Sequence, residues 1–284
     1  MSIRVVTDSS SDIPTEVTRD LGITVIPLYI QFGTESYRDR VDITDEEFYR
    51  RLVEGQVYPT SSVAPIGEVS EVFRNLAKEA DGILSLHLSS KLSKAYEVAL
   101  QAKEIVEKEE RCKIAVIDSQ KLGMGLGFLV ILAGKLAKES KDLEELVIKV
   151  EEAISHIQLL GILETLAYAL KGGRLAKVAG LLAGIIGGPL KLRVALTLKD
   201  GEVSKAGIIR AFKKRRRFLE FVSSFSCLRE VAVEYTTDKE KAEELLKEIK
   251  SLFPDLTLYL SRITPVLGVH FGPGALLVAL REES

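Results

Sequence analysis

Between residues 3 and 155, short runs rich in β-branched residues alternate with longer stretches of helical period. This alternation constrains the fold most, because strand–helix–strand units in series build a largely parallel sheet. Ile3–Thr7 reads as a strand leading through Asp8-Ser9-Ser10-Ser11-Asp12 into a helix near Pro14. Val25–Phe32 reads as a second strand, and Asp45–Glu54 as a helix with Thr44 at its N-cap. Ile83–Leu88 is a third strand, Ser93–Glu110 a long amphipathic helix and Ile114–Ile117 a fourth strand. Helices follow around Gly125–Glu139 and over Asp142–Ser155.

The character of the chain changes after about residue 156. Gly172-Gly173-Arg174 interrupts a helix and is followed by the small-residue apolar segment Val178–Gly188. Leu192–Leu198 and Glu202–Ile209 flank Asp200-Gly201, a dipeptide that favours a tight hairpin turn. Val231–Tyr235, the helix Lys239–Phe253 and the strand Leu256–Leu260 form a further βαβ-like unit, and the apolar run Ala275–Leu280 lies near the end. A chain of 284 residues, at roughly 150 per domain, divides most naturally in two. The expected fold class is α/β, with two α/β domains over residues 1–156 and 157–284, the first with a mainly parallel sheet.

Composition narrows the function classes. With 39 Lys+Arg against 41 Asp+Glu there is no global field favouring nucleic acid or an anionic membrane. Two cysteines, Cys112 and Cys227, make no disulfide framework and no CxxC pair. The opening MSIRVVTDSSSD lacks the apolar segment of a secretory leader. The uncharged stretches Leu122–Gly134 and Val178–Leu190 have 13 residues each, short of the roughly 20 that span a bilayer. The expectation is a cytoplasmic protein with no transmembrane segment.

Three strands end alike. Val5-Val6-Thr7 runs into Asp8-Ser9-Ser10, Leu86-His87-Leu88 into Ser89-Ser90, and Val116-Ile117 into Asp118-Ser119. Ligands of open parallel sheets sit beyond the carboxyl ends of strands, so these residues suggest a polar binding rim. Ser and Asp also favour helix N-caps, and both readings stand. Thr60-Ser61-Ser62-Val63-Ala64-Pro65 is a hydroxyl-rich loop that Pro65 keeps out of helix at Ala64. Ser89-Ser90-Lys91-Leu92-Ser93-Lys94 places hydroxyls and ammonium groups at a helix start, where free amides and the helix dipole favour an anion.

Other patterns read more simply. There is no GxxxxGK[ST], GxSxG or HExxH. Gly123-Met124-Gly125-Leu126-Gly127 opens a helix, but Phe128 stands at the third glycine of a dinucleotide fingerprint, and tight helix packing explains the glycines as well. His87, His156 and His270 show no metal-ligand spacing, and His87 reads as a core residue with satisfied hydrogen bonds. No metal or cofactor is expected. The run Lys213-Lys214-Arg215-Arg216-Arg217, with Lys205 and Arg210 nearby, reads first as a solvated helix face. Docking of an acidic partner comes second. Nucleic-acid binding comes third, because no aromatic stacking platform accompanies the run.

Taken together, several blocks resemble the DegV family. They are Val6-Thr7-Asp8-Ser9-Ser10-Ser11-Asp12-Ile13-Pro14, Thr60-Ser61-Ser62-Val63-Ala64-Pro65, Ser89-Ser90-Lys91-Leu92-Ser93, Ile117-Asp118-Ser119, Lys171-Gly172-Gly173-Arg174 and His270-Phe271-Gly272-Pro273-Gly274, in family order. The resemblance implies a non-enzymatic protein that holds a long-chain fatty acid between two α/β domains. It further implies that the acyl carboxylate is presented to a separate fatty acid kinase subunit. On this resemblance Thr60, Ser61, Ser93 and His270 surround the carboxylate, Arg174, Ser90 and Gly272 support the interface, and Arg210 lies where the kinase docks. The chain departs from the family's usual forms at Ser93-Lys94-Ala95, where Ser-Gly-Thr is common, at Ala64, which replaces a hydroxyl, and at Gly187-Gly188-Pro189.

The aliphatic composition suits an acyl tunnel, and Val178–Leu190 and Leu122–Gly134 offer residues to line one; as plain core helices they need no ligand. The competing reading is a serine hydrolase or acyltransferase with Ser93 as nucleophile and His270 as base.

Overall fold

A computed structural model of the chain describes residues 2–283, except 56, 141 and 172–191. Arg174, Gly187-Gly188-Pro189 and the Val178–Leu190 segment therefore lie outside the described residues. The first half runs β1 (Ile3–Asp8), a 3-10 turn (Ser9–Ser11), α1 (Thr15–Leu21), β2 (Thr24–Ile26), β3 (Tyr29–Phe32) and β4 (Glu35–Arg38). It continues through α2 (Asp45–Glu54), β5 (Thr60–Ser62), α3 (Ile66–Ala77), β6 (Gly82–His87) and α4 (Ala95–Glu109). β7 (Lys113–Asp118), α5 (Met124–Glu139) and α6 (Leu143–Ile154) complete it.

The expected parallel sheet is present, in the order β2-β1-β6-β7 with every pairing parallel. Its strands read as nearly continuous apolar runs because both faces are covered. Val5, Leu84 and Leu86 face the core shared with α5 and α6, while Val6 and Ile83 face the one under α3 and α4. The single strand expected over Val25–Phe32 is two. Pro27 has no N–H to continue a ladder, and the chain leaves the parallel sheet there. It resumes in an antiparallel sheet of order β4-β3-β5. Leu28 at the step is held by its N–H on Ser9 Oγ (3.1 Å) and by its carbonyl, which accepts from Asp39 N (2.8 Å).

The second half comprises β8 (Ile157–Leu163), α7 (Ala167–Lys171), β9 (Leu192–Lys199), β10 (Glu202–Arg210), a 3-10 turn (Ala211–Lys213) and α8 (Lys214–Val222). It ends with β11 (Leu228–Tyr235), α9 (Lys239–Leu252), β12 (Thr257–Arg262), α10 (Pro265–Phe271) and β13 (Leu276–Glu282). These six strands form a mixed sheet of order β10-β9-β8-β13-β11-β12, in which only β11 and β12 pair in parallel. The Asp-Gly hairpin forms as expected, with Asp200 and Gly201 both at positive φ.

Alternation assigns the two faces of this sheet. Leu160, Ile162, Val231, Val233, Val278 and Leu280 pack outward beneath α8 and α9, whereas Leu159, Leu163, Ala232, Leu277 and Ala279 face inward. The inward face meets α5, which also packs on β1 and β6 of the parallel sheet. Helix α5 is apolar nearly all round, as a helix buried between two sheets must be. Of the stretch Leu122–Gly134, only Leu122 borders the cavity described below, and the rest is core. The glycines of its first turn serve packing: a Cβ on Gly127 would stand 2.7 Å from the Ser11 carbonyl oxygen.

Candidate functional site

A cavity of about 920 Å³, counted out to its open mouth, lies where the two large sheets, the antiparallel sheet and α10 converge. Alternate strand residues make one wall: Leu159, Gly161 and Leu163 of β8, Leu196 and Leu198 of β9, and Leu277 of β13. Leu28, Val63, Leu88, Leu92, Val266 and Leu267 contribute to the others. The apolar lining is interrupted by a small set of polar residues, Ser10, Ser61, Ser62, Ser93, Thr197 and His270.

Local structure decides which hydroxyls reach this space. Strand β5 is three residues long and pairs with β3, Ser61 opposite Ile30 and Thr60 opposite Gln31. Ser61 turns toward α10, where its Oγ is 2.9 Å from His270 Nε2. Thr60 is exposed, donates to Gln31 Oε1 (3.2 Å) and is not among the cavity-lining residues. Ser93 closes the turn before α4. Its amide donates to the Ser89 carbonyl (3.0 Å) and its Oγ accepts from Ala95 N (3.2 Å). The structure thus brings Ser61, Ser93 and His270 to one cavity and leaves Thr60 one residue outside it.

The remaining candidates are dispersed. Ser90 turns to the end of β7, where its amide (3.1 Å) and hydroxyl both donate to the Asp118 carboxylate. Gly272 ends α10 beside the Tyr168 ring. Arg210 is exposed at the end of β10, ahead of the basic run. Within that run Lys214 turns inward to Glu164, which Arg193 also contacts, while Arg215 and Arg216 pair with Glu248 and Glu220 at the surface. Burial alone would raise the Glu164 pKa, but these two cations bring it below the usual carboxylate range.

The strand-end residues divide between capping contacts and the lining of the cavity. Asp8 accepts from Ser10 N (3.0 Å) and Leu88 N (3.1 Å) and meets His87 Nδ1 (3.1 Å), while His87 Nε2 is 2.8 Å from Ser85 Oγ. Burial works against the Asp8 charge, yet His87 and these donors hold its pKa below the ordinary value. This buried network ties β1 to β6, so Asp8 and His87 are structural. Ser10 and Ser93, beside them, border the cavity. The apolar wall went unmarked in the sequence, because Leu160 and Ile162, which alternate with Leu159, Gly161 and Leu163, are apolar as well.

Among the described residues, no group of three or more His, Cys, Asp or Glu is placed to hold a metal ion. No described helix is long and apolar enough to cross a membrane.

Comparison with known proteins matches this arrangement along the whole chain. The family model described as "Uncharacterised protein, DegV family" matches residues 2–283. A DegV domain-containing protein of Caldanaerobacter subterraneus subsp. tengcongensis is 35% identical over 285 residues, covering 99% of both chains. Among solved structures, DegV of Bacillus subtilis, described as a fatty acid binding protein, superposes with a TM-score of 0.90 at 28% identity. A DegV family protein of Thermus thermophilus, whose structure is described by its fatty acid binding, gives 0.89 at 29% identity, and both matches cover 100% of each chain. A stearic acid-binding protein of Eubacterium ventriosum gives 0.89 at 26% identity over 98% of each chain. With its full length matched by the family model and by a curated relative above 30% identity, the chain belongs to the DegV family.

Proposed function

We propose that this protein binds one long-chain fatty acid in the cavity and presents its carboxylate to a separate fatty acid kinase subunit, without performing chemistry itself. The observation that carries this reading is the pairing of an apolar cavity with the Ser61–His270 contact and Ser93 on its lining. Each methylene removed from water contributes about 0.8 kcal/mol, so the aliphatic wall supplies the affinity. A desolvated carboxylate must be hydrogen-bonded. Ser61, Ser93 and His270 supply donors, and the amides opening α4 add a favourable dipole.

Thr60 marks the rim of this site, and Ser90, Gly272 and Arg174 are its supporting positions. Arg210 and the adjoining basic residues form the docking face for the kinase. The reading places the protein in the cytoplasm with no cofactor, and puts the domain boundary between residues 156 and 157, just before β8. The described relatives that bind fatty acids support the ligand class.

Calorimetric titration of delipidated protein with oleate tests the binding, with saturable one-to-one uptake expected and no uptake contradicting it. In Arg210→Glu, uptake is expected to persist while phosphorylation of the bound acid by the kinase falls. Loss of uptake instead would make Arg210 part of the fold rather than of the docking face.

A further inference from the structure

The β9–β10 hairpin is at once a wall of the cavity and a bridge between the two halves of the chain. Leu196, Leu198 and Val203 on it face the cavity. Strand β10 is an edge strand paired with β9, and its register shifts between Lys205 and Gly207. None of its nine residues is fully buried, the condition under which an element opens most readily.

A side-chain hydrogen bond fastens the tip of the hairpin to the N-terminal half. Buried Ser89 donates its Oγ proton to the Gly201 carbonyl at 2.8 Å. The fit there is close: Gly201 has φ +78°, and a Cβ on it would stand 2.6 Å from Ser89 Oγ. The Ser89 backbone has a second task. Its carbonyl accepts from Leu92 N (2.9 Å) and Ser93 N (3.0 Å), and its amide donates to the Lys121 carbonyl (3.0 Å). One residue therefore holds the hairpin with its side chain and shapes the turn carrying Leu92 and Ser93 with its main chain.

We infer that Ser89 is a positioning residue for the Ser93 turn and that the hairpin tip it holds is the latch through which the cavity exchanges its ligand. Releasing the tip loosens the wall made by Leu196, Leu198 and Val203 and the turn bearing Ser93 together. A ligand that orders the Ser93 turn must, by linkage, hold the tip closed. The inference rests on the fatty-acid reading of the cavity.

The test loads the protein with cis-parinaric acid, a fluorescent long-chain fatty acid, and follows its release into excess unlabelled oleate. Ser89→Ala should speed release by about threefold to tenfold, as for loss of one hydrogen bond, with little change in thermal midpoint. Gly201→Ala should speed release as well. In the Ser89→Ala background Gly201→Ala should add less, because the atom it collides with is gone. In the wild-type protein, amide exchange at residues 199–203 should slow when the acid binds, which needs no variant. Unchanged release in both single variants, strictly additive effects, or tip amides indifferent to ligand would overturn the latch. Wild-type protein that takes up no parinaric acid would overturn the reading of the cavity itself, and the latch with it.

Discussion

Thr60 and Ser61 are neighbours with opposite orientations. The pleat of β5 sends Ser61 to His270 and Thr60 to Gln31 at the surface. The sequence marked the hydroxyl cluster but not this choice, which depends on a three-residue strand pairing with one that lies about 30 residues earlier. Ser61→Ala or Ser93→Ala should weaken oleate binding by about 1–3 kcal/mol, the loss expected for a hydrogen bond to a charged group. Thr60→Ala should change it far less. Titration of the three variants checks the order, and a Thr60 effect equal to that of Ser61 would place the carboxylate at the rim.

Among the elements, legibility followed local signals. Helix α2 appears with the predicted bounds because its ends are written in the chain. Thr44 Oγ accepts from Glu47 N (3.2 Å), three acids occupy the first turn, and Gly55 follows the last residue. Thr44→Ala should lower stability by about 1 kcal/mol, read as a shift of the urea midpoint at unchanged slope. No shift would mean that water replaces the cap without loss. Helix α3 went without a prediction, although Ile66, Val69, Phe73 and Leu76 form an apolar stripe. Strand β8 was also missed, for a physical reason: it is buried on both faces between β9 and β13, so Ile157–Leu163 shows little polar alternation. The Val25–Phe32 run hid a change of sheet at Pro27, a position where a proline within a strand pattern is itself the warning.

At the scale of the whole molecule, α5 joins the two sheets into one core, and a set of buried acids lies where the halves meet. Asp12 accepts from Thr264 N (2.8 Å), and Glu234 receives the amide of Met124 (2.8 Å) at the start of α5. Arg40 is already paired with Asp45 (2.8 Å) and with the Arg262 carbonyl (3.0 Å). Asp12 Oδ2 and Asp39 Oδ1 are buried with no hydrogen-bond partner among the described residues. Burial pushes the pKa of Asp12 up to about 7 despite Arg40 and the Thr264 amide, and that of Asp39 up to about 7 despite Ser9 and Arg40. Burial, with the charge of Asp12, raises Glu234 well above its ordinary value.

For a carboxyl raised in the folded state, the stabilising contribution is full below the unfolded pKa and is lost as pH rises through the folded one. The stability of this protein should therefore decline between about pH 4 and pH 7, by up to about 1.4 kcal/mol per pH unit for one such group. The lowered groups Asp8 and Glu164 act at the acid end instead, below their ordinary values near 4. Urea unfolding across this range should show the decline, and Asp12→Asn should reduce it. A slope unchanged in Asp12→Asn would remove Asp12 as a source.

Whether the cavity between the two sheets holds an acyl chain is tested most directly by mass spectrometry of the organic extract of protein purified from a bacterial host. A long-chain fatty acid in about equimolar amount is the predicted result; an extract free of fatty acid, from protein that also takes none up on titration, would contradict it.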